Sequence, residues 1–254
     1  MASPPPSRVS AARTKPRDSP RTGTTAAALR AALREHADPA DAAQAARYFL
    51  AGPGGYGEGD RFHGVRVPAI RALVKAHRGT SLAVCRTLLR SPWHEERMLA
   101  LLLMVDAYQR RDQVQRQAVF DTYLANLEQV NNWDLVDSSA PHIVGAHLAP
   151  TDTATLEAMA ASGHVWTRRI AMLATQFHIR RGEFGPAIRI ATLLRHDPHP
   201  LLHKAVGWML REIGDRDRTT SLAFLGQHWR EMPRTAVRYA IEHLSPSERR
   251  RFMR

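Results

Sequence analysis

The stretch VWTRRIAMLA, residues 165–174, decides the fold because three others are built like it. HEERMLALLL (94–103), LLHKAVGWML (201–210) and PRTAVRYAIE (233–242) each set a basic residue just ahead of a small residue and an apolar run. Those basic positions, Arg97, Arg169, Lys204 and Arg238, are 72, 35 and 34 residues apart. The first gap is twice 36, and the segment NNWDLVD (131–137) fills the missing place at Trp133. A period near 35 carried by helix pairs is the signature of a helical repeat stack, in which each pair buries its apolar face only against its neighbours. One helix of each pair then lines a concave face, and the repeated basic position predicts a continuous cationic groove along it. Chance likeness among amphipathic helices is the competing reading.

Helix punctuation supports the repeat. Asp38-Pro39, Ser91-Pro92, Asp197-Pro198, Met232-Pro233 and Ser245-Pro246 each combine a cap or boundary signal with a proline suited to a first helical turn. Gly214 closes the helix after LLHKAVGWMLREI in the manner of a C-cap. No run of period-two alternation with hairpin turns is present, so the expected fold is all-α, an α-α superhelix of HEAT-like repeats with a basic concave face. One glycine-rich loop, GPGGYGEGDRFHGVRVP (52–68), interrupts the helices. It lacks the GK[ST] ending and the strand-to-helix context of a phosphate-binding loop, so it reads as a flexible connector that packs Phe62 and Val65 before Pro68 restarts a helix.

Composition narrows the partners. The 254 residues carry 36 Lys+Arg against 24 Asp+Glu, a net charge of +12, which favours a polyanion, nucleic acid before anionic membrane. No stretch approaches the roughly 18 apolar residues of a membrane span, and the run from Met98 to Val105 reads as a buried helix. The single cysteine, Cys85, excludes an intramolecular disulfide and reads as a packed core thiol of a reducing compartment. Residues 1–24 form a basic, Pro- and Ser-rich segment expected to be a disordered tail, with residues 25–254 as one domain. The tail holds Arg8, Arg13, Lys15, Arg17 and Arg21 against Asp18, contributing +4 and leaving +8 of the +12. It has no secretory signal, and the expected location is cytoplasmic, associated with the nucleoid.

Within NNWDLVD, Trp133 and Asp137 are four residues apart and share a helix face. A carboxylate beside aromatic faces on a basic surface suits a cationic, sugar-like transition state next to a polyanion. Each residue alone also has an ordinary role: a helix tryptophan is usually core, as expected for Trp93, Trp166 and Trp229, and a lone Asp usually caps or faces solvent. Asp134 and Asp137 invite a paired-carboxylate or metal reading, but no further ligands stand at suitable spacing. His196, His199 and His203 fit a helix-capping loop better than a metal site. No metal and no cofactor are expected.

At NNWDLVDSSAP, VWTRRIAMLA and HKAVGWMLRE the chain resembles the DNA alkylation repair family, specifically its AlkD-type HEAT-like-repeat DNA glycosylases, from about Ala27 to the C-terminus. The resemblance implies excision of cationic alkylpurines, chiefly 3-methyladenine and 7-methylguanine, from duplex DNA by a monomer. It implies that Asp137 is the catalytic carboxylate and that Trp133 and Trp208 flank the deoxyribose of the lesion. Arg169, the second arginine of WTRR, then contacts DNA near the lesion, and Tyr48 stands at the cleft edge. Arg168, Lys204, Arg97 and Arg238 complete the expected DNA-binding set. The glycine-rich loop is longer than the family pattern leads one to expect. The family also contains members without excision activity, so a non-catalytic nucleic-acid binder is the alternative, and a protein-binding repeat scaffold a third reading.

Overall fold

The computed structural model describes residues 23–110 and 112–253; the expected tail, apart from residues 23 and 24, lies outside the described residues. The described chain is helical: α1 (Ala26–Arg34), α2 (Pro39–Tyr48), α3 (Val67–Ala76), α4 (Leu82–Leu89), α5 (His94–Arg110), α6 (Gln113–Leu124), α7 (Trp133–Ala140), α8 (Ala154–Ala160), α9 (Val165–Ala174), α10 (Gln176–Ile179), α11 (Gly185–Leu194), α12 (Pro200–Gly214), α13 (Arg218–His228), α14 (Arg234–Ala240) and α15 (Pro246–Phe252). A π-helical stretch, Pro141–Gly145, continues α7, as α10 continues α9. Among the described residues no helix is long and apolar enough to cross a membrane.

The helices form two layers, as an α-α superhelical repeat requires. In the first, α3, α5, α7, α9, α12 and α14 pack each on the next; in the second, α4, α6, α8, α11 and α13 back them. Helix α5 belongs to both neighbourhoods, and the predicted apolar run Met98–Val105 is buried except at Leu102. Close approach explains two glycines. A Cβ on Gly145 would lie 2.0 Å from the Ala174 carbonyl oxygen, and one on Gly207 would lie 2.4 Å from that of Ala236, so backbones meet there only because the side chain is missing.

The repeat register differs from the sequence reading at one place. The first-layer helices α7, α9, α12 and α14 begin at Trp133, Val165, Pro200 and Arg234, so Arg169, Lys204 and Arg238 are each the fifth helical residue. Their counterpart on α7 is Asp137, not Trp133. One acidic residue thus stands at a position that is otherwise basic.

Two of the expected caps form as the sequence predicts, and the others shift by one to three residues. Asp38 accepts from the Ala40 and Asp41 amides, and Ser245 with Glu248 forms a capping box. At α12 the cap is His199, whose Nδ1 accepts from the Leu201 amide; Asp197 is engaged elsewhere. Gly214 is the last helical residue and Asp215 the C-cap. Trp166 and Cys85 are buried as expected, whereas Trp93 is half-buried, its ring stacked on His63 at 3.9 Å, and Trp229 is half-buried against Phe252 and Arg230.

The glycine-rich segment is not a loose connector. The amides of His63, Gly64 and Val65 donate to the Glu95 carboxylate at 3.0, 2.8 and 3.2 Å, and Arg61 exchanges backbone hydrogen bonds with the start of α5. Phe62 and Val65 are buried as predicted. The first turn of α5 thereby fixes a loop that the sequence alone leaves free, because the acceptor lies about 30 residues away.

Candidate active site

Helix α7 starts where the buried Asn132 side chain accepts from the Trp133 amide, and its Nδ2 lies 3.4 Å from Asp60 of the glycine-rich loop. Trp133 is the first helical residue and Asp137 the fifth, one turn on. Arg169, the matching residue on α9, grips Asp137 bidentately, Nε to Oδ1 at 2.9 Å and Nη2 to Oδ2 at 2.8 Å. Its third nitrogen, Nη1, donates to the Leu201 carbonyl at 2.7 Å, tying α7, α9 and the start of α12 together. Burial pushes the Asp137 carboxyl above its ordinary range, against the attraction of Arg169; the negative charge of Asp134 adds to the upward shift. Each carboxylate oxygen keeps a further lone pair for a substrate or water.

Beside this pair lies a network that the sequence did not announce. His94, 3% exposed at the start of α5, faces a carboxylate from each ring nitrogen: Nδ1 to Asp60 at 3.2 Å and Nε2 to Asp134 at 2.8 Å. Carboxylates only accept, so both nitrogens donate and the ring is an imidazolium. Burial opposes that charge, but the bonds to Asp134 and Asp60 outweigh it and raise the ring to about 9. Burial likewise acts to raise Asp60, and is outweighed by the hydrogen bond from His94 and by Arg97, which holds it below its ordinary value. Phe49 and Phe62 stack on the His94 ring at 4.8 and 5.0 Å, and Trp133 meets Phe49 at 5.4 Å and Tyr48 at 5.8 Å. The sequence signals were present only as scattered residues: an acid in a glycine-rich loop, a histidine after Ser-Pro-Trp, and the dismissed Asp134.

Asp137, Asp134, Trp133, Tyr48 and Phe49 line a cleft of about 470 Å³ together with Val67 and Arg71, and His94 and Phe62 line the groove next to it. A neighbouring groove of about 540 Å³ shares Tyr48, Phe49, Val67, Met98 and Asp134 with it and runs along α2. The structure therefore brings Asp137, Trp133 and Tyr48 to one opening. Trp208 is not among the residues lining that opening: it sits half-buried on α12, with its indole N–H donating to Glu212 at 3.1 Å.

The expected cationic row divides. Arg97 is 3% exposed and bonded to Asp60 and the Ser91 carbonyl; Arg169 is 5% exposed and held by Asp137. Arg168 is paired with Asp197 at 2.6 Å and also donates to the carbonyls of Ser162 and Gly163. Lys204 and Arg238 are exposed. The repeated position is thus not a continuous solvated stripe, because Asp60 and Asp137 draw the first two guanidiniums inward. Among the described residues no group of three or more His, Cys, Asp or Glu side chains is placed to hold a metal ion.

No curated protein matches the chain significantly. Among solved structures, one described as a predicted DNA alkylation repair enzyme from Enterococcus faecalis superposes with a TM-score of 0.63 at 18% identity, covering 83% of this chain and 98% of that one, a likeness of fold. Residues 29–244 match the family described as DNA alkylation repair enzyme, which takes in every residue of the cleft. The chain belongs to the DNA alkylation repair enzyme family.

Proposed function

We propose that the protein is a monofunctional DNA N-glycosylase that removes cationic alkylpurines, 3-methyladenine and 7-methylguanine, from duplex DNA. The observation that carries the reading is a largely buried carboxylate, Asp137, oriented by Arg169 and set one helical turn from the Trp133 indole at the floor of an open cleft. An N3- or N7-alkylated purine already bears positive charge, so its base leaves neutral without the acid that ordinary glycoside hydrolysis needs. One carboxylate then suffices to stabilise the developing oxocarbenium ion and to orient the attacking water. The Trp133 face adds cation–π attraction as charge passes to the sugar, about 0.5–2 kcal/mol.

The roles of the arginines follow from their partners. Arg169 acts on the reaction through Asp137, as a positioning residue, while exposed Lys204 and Arg238 are the phosphate contacts. Trp208 contributes a second aromatic face only when DNA bridges from the cleft to α12. The test is release of free 7-methylguanine and 3-methyladenine from methylated duplex by the wild type and by Asp137→Asn. Release by the wild type alone, with duplex affinity kept in both, supports the reading. Tight duplex binding with no release from either identifies a non-catalytic binder instead.

A further inference from the structure

A relay of alternating charges runs from the interior to the cleft. Arg97 donates to Asp60 at 2.6 Å, Asp60 accepts from one nitrogen of the His94 ring at 3.2 Å, and the other nitrogen donates to Asp134 at 2.8 Å. The side chains of Arg97, Asp60 and His94 are 3–4% exposed, whereas that of Asp134 is 16% exposed. The member that meets solvent is thus the one that lines the cleft, three residues before Asp137. Apolar residues of the same volume would join these helices as well or better, since desolvation offsets the attraction of buried charges. The matching starts of α9 and α12, Val165-Trp166-Thr167 and Pro200-Leu201-Leu202, carry no charged residue.

The ring reaches the site by a second route. Phe49 stands between His94 at 4.8 Å and Trp133 at 5.4 Å, so the group that anchors Asp134 also backs the indole. Trp133 and Asp134 are the first two residues of α7, and both line the cleft, while His94 does not. The charged groups around the ring are Asp60 from the loop, Asp134 from α7 and Arg97 on α5 itself. Asp41, paired with Arg66, and Glu95, which accepts three loop amides, line the same groove as His94, and the end of α2 presents the Phe49 ring. Beyond Asp134, Asp137 is taken up by Arg169. Burial works against the ring's charge, and Asp134 and Asp60 together hold its proton up to about 9.

We propose that His94 is a positioning residue for base excision: its imidazolium fixes the Asp134 carboxylate and, through Phe49, the Trp133 indole, so that the first turn of α7 presents both to a cationic lesion. The inference rests on the glycosylase reading of the cleft. Asp134 is then a second acid facing the positively charged base and sugar, beside Asp137. Loss of the ring proton frees that carboxylate and loosens the aromatic wall without removing a phosphate contact, so turnover and duplex affinity separate.

The test is single-turnover release of 3-methyladenine from methylated duplex by the full chain, from about pH 6 to about pH 10, with the spontaneous rate subtracted and duplex Kd measured alongside. The wild-type rate should fall about tenfold per pH unit above about 9, at nearly constant Kd. His94→Gln should be slower by about 10²-fold at neutral pH, the scale of an ångström's misplacement, and should lack the alkaline fall. Asp60→Asn keeps the ring and its bond to Asp134 but removes one of the two acids that hold the proton. It should move the alkaline fall to lower pH by about 1–2 units, and it decides the question if His94→Gln does not fold. A merely structural role would lower Tm and rate together and leave the position of that fall unchanged. An alkaline fall at the same pH in wild type and Asp60→Asn overturns the proposal, as does a wild-type rate in folded His94→Gln; either leaves the glycosylase standing. No release by wild type at any pH removes the glycosylase reading and the proposal with it.

Discussion

The same repeat position behaves differently in the middle of the stack and at its C-terminal end. On α7 and α9 it holds half-buried Asp137 and buried Arg169, locked together; on α12 and α14 it holds Lys204 and Arg238, exposed to solvent. The helices are alike, and the chemistry at the position is decided by the neighbouring repeat. An acid placed one repeat before an arginine turns a solvent-facing cation into a carboxylate's clamp. A stack of similar helices can thereby lock a charge pair at one level and leave the same position free in solvent at others.

The strongest way to sharpen this contrast is through Asp137. Asp137→Asn should lower excision by about 10²–10³-fold, the scale of losing one preorganised electrostatic group, with duplex Kd nearly unchanged. Parallel loss of binding and turnover would give Asp137 a structural role and erase the distinction between the two levels.

Arg169→Ala comes next. Removing one partner of a buried pair leaves the other charge uncompensated, so unfolding in urea should show a loss of about 3–5 kcal/mol. The double variant Asp137→Asn/Arg169→Ala should recover part of that loss. A loss below about 1 kcal/mol, the range of surface pairs, would put Arg169 in the same class as Lys204.

His94 gives a pH-dependent test of the same core. Its folded value of about 9 lies above the ordinary 6.5, so its contribution is fully present below pH 6.5 and is lost as pH rises through 9. Stability should fall over that window by on the order of 3 kcal/mol, and His94→Gln should flatten the drop. A wild-type profile with no drop there would mean that the ring is not held as an imidazolium between Asp60 and Asp134.

The smallest effect belongs to the C-terminal repeats. Lys204→Ala or Arg238→Ala should each reduce the slope of log K against log salt by about 0.9, one phosphate contact, without changing excision at saturation. Arg169→Ala should leave that slope unchanged. A slope lowered by Arg169→Ala as well as by Lys204→Ala and Arg238→Ala would restore the continuous cationic row that the period alone predicts.

Much was legible in the chain. The four related stretches and the Pro-based caps gave the helix class, the repeat and its period, because helical spacing and capping depend on residues three or four apart. NNWDLVD placed Trp133 and Asp137 on one face for the same reason. The loop at 52–68 is the connector the sequence suggested, but its expected flexibility does not hold, since the carboxylate that fixes it, Glu95, is about 30 residues away. The aspartate partners of Arg97, Arg168 and Arg169 were not legible for a related reason: an arginine's pattern in sequence is the same whether or not a distant aspartate pairs with it.

The sequence by itself determined the all-α repeat, its register to within a turn, and the presence of a carboxylate and an indole on one helix. Only the tertiary structure decided that Asp137 is clamped by Arg169 and that His94 is charged between two acids. Those pairings join residues 32, 34 and 40 positions apart, and they depend on which buried charges find partners once water is excluded. That selection is made by the packing of whole helices, after the local hydrogen bonds of each have already been satisfied.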